Sequence, residues 1–430
     1  MPSSHVAMQA DVAVVGRGAV GLTAALALAR IGLPTTLIGA PPSVDAGTAA
    51  GDDVDPWDLR VFALSPATRA LLESIGVWHA LDAARIAPVY DMRVFPAFSS
   101  DRDVLHFSAY EARVEALAWI VEQRNLMRAL GQAVRFAGLP IVDEAFDCID
   151  ADPRALQPVS GTVPESTISV GLEGGRRLSV RLLVGADGAG SRVRESAALA
   201  WSVSDYPQRA LVAHFDTERP HRDIAWQWFG RDGILALLPL PLPPATASDA
   251  PQGRVSMVWS APPELADALL AMTPGELAAR VQQAAGAALG TMSAISRVQA
   301  FALRLGRVAS MVGHRVALVG DAAHLVHPLA GQGMNLGFGD VAALVRVLRE
   351  GASGGDPGDR LLLRRYVRAR AEPVAAMRSA TDALQRLFDP TRRPAPAALA
   401  PLVELALALG WRAVAGSRWF RRQLVAQAVR

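Results

Sequence analysis

Runs of apolar residues that end in glycine-rich turns recur along the 430-residue chain and predict units of strand, turn and helix. The first unit begins at Asp11, continues as an amphipathic helix to Arg30, and is followed by a strand over 34–38. A second strand and turn cover 177–191. The third unit starts at Arg315 and leads through a Gly- and Pro-rich loop into a helix predicted from Met334 to Glu350. Repeated units of this kind predict an α/β fold.

Between the second and third units the pattern becomes the alternation typical of half-buried strands. Strands are predicted over 209–215, 224–229, 234–238 and 255–259, with a helical stretch over 276–288. Earlier alternating pieces at 90–95 and 103–107 are expected to join the same sheet. Helices are predicted over 119–130, 360–370 and 373–388. The chain is long for one domain and suits two or three.

Composition excludes several classes of protein. The net charge of +2 is too small to indicate a nucleic-acid partner, and all 43 residues counted as Lys or Arg are arginine, which explains the pI of about 9.1. Cys148 is the only cysteine, so an internal disulfide and a cysteine-rich metal site are excluded and no metal is expected. No secretory signal or membrane-length apolar run is evident, so a cytoplasmic location is expected.

The first turn has the pattern of a dinucleotide site. Gly16 permits a tight turn, Gly18 lets a pyrophosphate approach the backbone, and Gly21 lets helix and strand pack closely. The motif alone does not separate FAD from NAD. The acidic residue that usually binds the adenosine ribose is missing, because the second strand ends in Ile38 and Gly39.

Two explanations of this departure remain open. Either Asp45, Asp52 or Asp53 in the following loop supplies a substitute carboxylate, or the ribose is held more loosely.

The second and third turns also carry candidate ligand-binding groups. Asp187 and Gly188 follow a buried strand, where the carboxylate can brace the turn. Asp321 ends another buried strand and can reach a ligand hydroxyl. Gly331 and Gly333 would let backbone N–H groups at the start of the next helix meet a negative charge. A flat, anionic ligand would fit this site.

The full string His327-Pro-Leu-Ala-Gly-Gln-Gly-Met-Asn-Leu-Gly resembles the second flavin-binding motif of the single-component flavoprotein aromatic hydroxylases, in particular those that hydroxylate ubiquinone precursors. The resemblance extends over about 11–388. It implies a Rossmann-like FAD-binding domain of the p-hydroxybenzoate hydroxylase type, with an inserted β-sheet substrate domain and C-terminal helices. The implied division is 1–88, 112–200 and 305–390 for the FAD domain, 89–111 and 201–304 for the substrate domain, and 391–430 for a helical tail.

The resemblance further implies an enzyme that holds FAD, accepts NADH or NADPH as co-substrate, and uses O2 to hydroxylate the ring of a polyprenyl phenol. It places Pro328 beside the reacting face. His327, like His324, is a candidate base for the phenol, although a structural role is equally open. The implied cofactor-binding residues are Gly16, Gly18, Gly21, Arg60, Arg124, Asp187, Gly188, Gly320, Asp321, Gly331, Gln332, Gly333, Met334 and Asn335.

Several side chains have a structural alternative. Arg60 can lie near the flavin or form a surface salt bridge, and Arg124 can contact the cofactor or share a solvated helix face with Arg128. The tryptophans of the β-rich region can line an aromatic pocket or fill the sheet's core, namely Trp226, Trp228 and Trp259.

Alternatives also remain for the activity and the tail. Three alternative hypotheses are hydroxylation of a soluble phenol, reduction of a polyprenyl group, and a non-catalytic role as an FAD-fold member of a ubiquinone-biosynthesis complex. The segment after Glu404 has no acid but contains Trp411, Trp419 and several arginines. This composition suits either a peripheral contact with the inner membrane or a solvated helix.

Overall fold

The computed structural model describes residues 8–41, 57–96, 104–150, 167–230, 232–242, 251–326, 332–351 and 355–388. The strands in these ranges are β1 (Met8–Val15), β2 (Thr35–Ile38), β3 (Val61–Leu64), β4 (Ile86–Val89), β5 (Asp91–Phe95), β6 (Leu105–Ser108), β7 (Ala118–Glu122), β8 (Ile141–Val142), β9 (Phe146–Asp150), β10 (Ile168–Leu172), β11 (Arg177–Gly185), β12 (Trp201–Thr217), β13 (Ile224–Gly230), β14 (Gly233–Leu240), β15 (Gly253–Ala261), β16 (Met292–Ala294), β17 (Gln299–Val308), β18 (Val312–Gly313), β19 (Val316–Leu318) and β20 (His324–Leu325).

The α-helices in the same ranges are α1 (Ala19–Arg30), α2 (Pro66–Ser74), α3 (Ala109–Ala112), α4 (Gln123–Phe136), α5 (Arg192–Ser196), α6 (Pro263–Ala271), α7 (Pro274–Ala284), α8 (Gln332–Gly351) and α9 (Arg360–Phe388). Short 3-10 turns cover Trp78–Ala80, Ala83–Arg85 and Gly320–Ala322. The α/β fold expected from the sequence is confirmed.

The first sheet is built around parallel strands in the order β19, β11, β1, β2 and β8. Successive side chains of a strand point to opposite faces. Val12 and Val14 of β1 therefore pack with α1, α4 and α8 in one buried cluster, while Ala13 and Val15 pack with β9, β10 and α5 in another. Both faces are covered, which explains why β1 is an apolar run rather than an alternating one.

The second sheet has the order β20, β17, β12, β15, β14, β13, β5 and β6, with β16 paired to β12. One face, here called the helix face, packs against α6 and α7 through residues such as Leu237 and Met257. The opposite face, here called the inner face, packs Ala225 and Leu238 against Ile120 of the small sheet β3-β7-β4. The inner face therefore points toward the small sheet and the first sheet.

Two helix predictions were wrong in detail. Trp119 to Glu122 belongs to a strand, because its aromatic and β-branched residues pair with both β3 and β4, and α4 begins only at Gln123. The two helices predicted after 360 form one continuous helix, α9, with Pro373 inside it. Helix α6 was not predicted from the sequence. None of the helices among the described residues is long and apolar enough to span a membrane.

Candidate functional site

The three glycine-containing turns meet at one edge of the first sheet. Val15 at the end of β1 lies in register with Gly185 of β11, which lies in register with Leu318 of β19. The turns are joined by backbone hydrogen bonds, since Ala186 N–H donates to Val15 O at 2.8 Å and Val319 N–H donates to Gly185 O at 3.0 Å. The carboxyl ends of parallel strands are where open α/β sheets bind ligands.

The first turn leaves room for a ligand at Gly18 alone of its three glycines. A Cβ on Gly16 would lie 2.2 Å from Ala186 O, and one on Gly21 would lie 2.0 Å from Gly16 O, whereas a Cβ on Gly18 would meet none of the described residues within 4 Å. Within the same part of the chain, no side chain caps the N-terminus of α1 at Gly18. The start of α1 therefore suits the binding of a pyrophosphate.

Asp187 is used within its own turn. Ser191 Oγ donates to Asp187 Oδ1 at 2.6 Å, and the N–H of Val193 donates to Oδ2 at 3.1 Å, so the carboxylate braces the start of α5. Gly188 has φ +81, and none of the described residues lies within 4 Å of a Cβ placed on it. This turn therefore offers an open glycine, while the neighbouring carboxylate is engaged with protein donors.

Arg194, which the sequence analysis missed, joins the second and third turns. Its Nη2 donates to Ala189 O at 2.9 Å and its Nη1 to Ala322 O at 3.1 Å, and the guanidinium lies 4.0 Å from the ring centroid of Trp201. Burial lowers the pKa of Arg194, although Asp187 acts in the opposite direction. No sequence signal distinguishes Arg194 from Arg192, because both occur in one short helix.

The third turn is held by a buried carboxylate on α8. Asp340, which is 0% exposed, accepts hydrogen bonds from Gly320 N–H at 2.9 Å, His324 Nε2 at 2.7 Å and Arg370 Nε at 2.6 Å. Burial raises the pKa of Asp340, but His324, Arg370 and the Gly320 N–H outweigh burial, so the pKa lies below its usual value. Asp340 was not predicted from the sequence as a site residue. Its signal is a charge on the apolar face of α8, four residues from both Leu336 and Leu344.

His324 is therefore placed as part of this buried cluster. It is 3% exposed, and its Nε2 is committed to Asp340. This arrangement matches the structural alternative for His324 rather than the role of a base. His327, Pro328 and Gly331 lie outside the described residues, as does the side chain of Gln332.

Asp321 lies beside this cluster but reaches solvent. Its side chain is exposed, yet surrounding protein groups reduce its hydration, and this burial raises the pKa of Asp321. His324 lowers the pKa and Asp340 raises it further. An accessible, partly desolvated carboxylate is suited to accept a hydrogen bond from a ligand hydroxyl.

The start of α8 is fixed against two other elements. Gly337 would bring a Cβ within 2.9 Å of Val20 Cγ2, so α8 and the start of α1 pack closely. The Asn335 amide donates to Ala63 O at 2.7 Å and accepts from Ser65 N–H at 2.9 Å. The side chain of Asn335 thus binds β3 and the cap of α2. Gly333 and Met334 lie in the first turn of α8, half-buried.

The segment 57–60 connects this site to the second sheet. Asp58 accepts from the N–H groups of Arg60 at 3.0 Å and Arg124 at 2.9 Å, and its backbone carbonyl accepts from His214 Nε2 at 3.0 Å. The guanidinium of Arg60 lies 5.1 Å from the ring centroid of Phe301. Arg60 therefore lies between the start of β3 and strand β17, and Arg124 lies in the first turn of α4.

Burial lowers the pKa of His214, which is the largest effect, while its hydrogen bond to Asp58 acts in the opposite direction. His214 lies on the inner face, in register with Ser256, and neither His214 Nδ1 nor Ser256 Oγ has a partner within the described part of the chain. A lone histidine in an alternating strand gave no sequence signal for this position.

The tryptophans lie on the side of the second sheet away from this site. Trp226 is in register with Leu237, and both pack with α6 and α7 on the helix face. Trp226 and Trp228 stack with Phe95, and Trp259 Nε1 donates to Asp232 O at 3.0 Å. Core filling is therefore the arrangement found, and these rings do not line the inner face.

The site fits a dinucleotide with hydroxyl groups. It combines the open glycines Gly18 and Gly188, the start of α1 and the accessible carboxylate of Asp321. Among the described residues, no group of His, Cys, Asp and Glu side chains could hold a metal ion. A family model described as "FAD binding domain" matches residues 9–381.

Curated relatives extend this similarity over most of the chain. Ubiquinone hydroxylase UbiL of Rhodospirillum rubrum is 36% identical over 394 residues, covering 91% of this chain and 84% of that protein. The 3-demethoxyubiquinol 3-hydroxylase of Escherichia coli is 32% identical, covering 86% and 88%. Among solved structures, p-nitrophenol 4-monooxygenase PnpA of Pseudomonas putida superposes with a TM-score of 0.67 at 16% identity, covering 98% of this chain and 99% of that one. The last similarity concerns the fold alone.

Proposed function

The chain belongs to the FAD-binding hydroxylases of ubiquinone biosynthesis, and we propose that it hydroxylates the aromatic ring of a polyprenyl phenol intermediate, using NADH or NADPH and O2. The observation that best supports this proposal is that three glycine-containing turns meet at the carboxyl ends of the parallel strands, beside the inner face of the second sheet. FAD would supply the acceptance of hydride from NAD(P)H and the activation of O2.

The residues of this chain would bind and orient the cofactor. Gly18 and the first turn of α1 would receive the pyrophosphate, and Asp321 would accept a hydrogen bond from a cofactor hydroxyl. The backbone N–H groups at the start of α8 carry the positive end of the helix dipole, which favours negative charge on a ligand. Asp340, Arg194 and Asp187 would keep the turns in position.

The substrate would lie between the inner face and the cofactor site. His214 and Ser256 supply polar atoms on the inner face, near the apolar Ala225 and Leu238. An apolar enclosure with few polar groups suits a phenol with a hydrocarbon tail. Pro328 and His327 remain predicted members of the reacting site.

The test is a flavin spectrum of the purified protein, followed by NAD(P)H addition with and without a prenylated phenol under 18O2. We expect bound flavin, faster NAD(P)H oxidation with the phenol, and one 18O atom in the product. If the protein binds FAD but no phenol changes its rate of NAD(P)H oxidation, the result would support the hypothesis of a non-catalytic FAD-fold protein. Faster turnover with a short soluble phenol than with the prenylated one would support the soluble-substrate reading.

We also propose a peripheral contact with the inner membrane through the basic, aromatic tail, and membership of a ubiquinone-biosynthesis complex, with the enzyme otherwise in the cytoplasm. The tail, including Trp411 and Trp419, lies outside the described residues, so the support is its composition. Cosedimentation with anionic but not neutral vesicles, lost when 391–430 is deleted, would agree with membrane contact. Equal recovery with both vesicle types would contradict it.

A further inference from the structure

The adenosine end of the dinucleotide site departs from the usual arrangement at Gly39. An acidic residue at the end of the second strand ordinarily binds the ribose hydroxyls. Here β2 ends at Ile38, and a Cβ on Gly39 would lie 3.1 Å from Cγ of Arg17. The stem of Arg17 therefore occupies the space that a side chain at position 39 would need.

Arg17 extends from the first glycine turn to the end of the sheet. Its Nη1 donates to Gly39 O at 3.3 Å and to the carboxylate of Asp143. Within the described residues both of these hydrogen bonds use Nη1, whereas a guanidinium has five N–H donors. The side chain of Arg17 is 19% exposed, so its charge is largely enclosed but still reaches the surface of the site.

Asp143 stands one strand farther out than the missing acid. Strand β8 runs parallel to β2 with Ile38 in register with Val142, and Gly39 N–H donates to Val142 O at 3.1 Å. This register places Asp143 beside Gly39, about 4.8 Å away in the hydrogen-bonding direction. The carboxylate is thus displaced outward, and the guanidinium of Arg17 lies on the side nearer the glycine turn.

We propose that Arg17 binds the adenosine ribose of FAD, donating hydrogen bonds to its hydroxyl oxygens, and that Asp143 is the positioning residue that orients Arg17. Ribose hydroxyls accept hydrogen bonds as well as donate them, so a guanidinium can take over the contact that a carboxylate normally makes. The proposal rests on the FAD site but not on the hydroxylation reaction.

An ion pair between Arg17 and Asp143 that served only to stabilise the fold would contribute little here. The carboxylate of Asp143 is 65% exposed, and exposed ion pairs contribute little to stability. A ribose contact would instead change ligand affinity, and would do so only for ligands that carry the hydroxyls.

The experiment measures binding of FAD, ADP and 2′,3′-dideoxy-ADP to the flavin-free protein by titration calorimetry, for wild type, Arg17→Ala, Asp143→Asn and the control Arg30→Ala. Arg30 lies exposed at the other end of α1. We expect wild type to bind ADP about tenfold more tightly than the dideoxy analogue, since a hydrogen bond to a charged donor has an effect of this order. Arg17→Ala should bind FAD and ADP about tenfold more weakly and no longer distinguish the two ADP analogues.

Asp143→Asn should show an intermediate loss, and Arg30→Ala none. Discrimination between the ADP analogues that survives in Arg17→Ala would overturn the proposal, even if the melting temperature falls. Failure of the wild-type protein to bind FAD at all would instead contradict the proposed function.

Discussion

The backbone N–H of Gly320 donates to the carboxylate of Asp340 at 2.9 Å, so a residue in the third turn of α8 fixes the turn that presents Asp321. Gly320 has φ +62 and packs against Val20, which puts this turn next to the start of α1. The same carboxylate is bonded to Arg370 of α9. One buried charge thus ties together a strand end and two helices.

Asp340→Asn is expected to reduce the free energy of unfolding by about 3 to 5 kcal/mol, because it leaves Arg370 as an uncompensated buried charge. Urea unfolding of the flavin-free protein measures this loss. Glu350→Gln is the matched control, since its ion pair with Arg365 is about half exposed and should contribute about 0 to 1 kcal/mol.

The effect of Asp340 also has a pH dependence. Because the folded pKa is depressed, its stabilisation is present above the ordinary value of 3.8 and is lost as pH falls through the folded pKa. The difference between wild type and Asp340→Asn should therefore shrink in acid. A difference that grows in acid would contradict the assigned ionisation.

Asp321→Asn is expected to weaken FAD binding about tenfold while leaving the flavin-free protein folded, because it replaces a charged acceptor by a neutral one. Flavin fluorescence during reconstitution measures the affinity. Asp267→Asn, which removes an exposed partner of Arg209, should leave FAD affinity unchanged. A fully flavinated Asp321→Asn protein with wild-type affinity would remove Asp321 from the site.

The same variant should make the flavin-free protein slightly more stable at neutral pH. The folded pKa of Asp321 is raised, so wild-type stability falls as pH rises from 3.8 through the folded pKa. Asp321→Asn lacks this fall. Unfolding curves of the two proteins that run parallel between acid and neutral pH would contradict the raised pKa.

Arg194→Met is expected to weaken FAD binding about tenfold and to lower the melting temperature, because it removes hydrogen bonds to Ala189 O and Ala322 O. Arg192→Met is the control on the same helix, where the side chain is 47% exposed and pairs with Glu173 and Asp147. Equal FAD affinity in the two variants would show that the connection between the turns is not needed for binding.

His214→Gln is expected to remove a pH dependence of stability. Because burial lowers the folded pKa of His214, wild-type stability should rise as pH increases from the folded pKa to the ordinary value of 6.5. Denaturant unfolding at pH 5 and pH 7.5 compares the variants. His314→Gln, at an exposed position, should retain the wild-type dependence.

Local patterns of sequence were sufficient for the units that a short segment determines by itself. Strand β1, its glycine turn and α1 follow from apolar periodicity and glycine spacing. The helix prediction for the segment from Trp119 to Glu122 was wrong because a short apolar run is compatible with either a helix or a strand. Pairing with β3 and β4 makes this segment a strand.

The relations between distant segments could not be read from the sequence. Alternation indicates that Trp226 and Trp228 share a face, but only the packing of α6 and α7 determines which face. Likewise, the partners of Asp340 are up to 30 residues away along the chain, and Asp143 is 126 residues from Arg17. Such contacts depend on strand order, which periodicity does not specify.

The contact between Gly39 and Arg17 also constrains how this chain can change over generations. An aspartate introduced at position 39 would have its Cβ 3.1 Å from Arg17 Cγ, so the stem of Arg17 would have to shift by a few tenths of an ångström, and the φ of +157 at this position would strain the new side chain. Loss of Arg17 alone leaves neither a guanidinium nor a carboxylate at that strand end. We therefore expect positions 17 and 39 to vary as a linked pair, with related chains carrying either the acid without an arginine at position 17 or glycine with arginine.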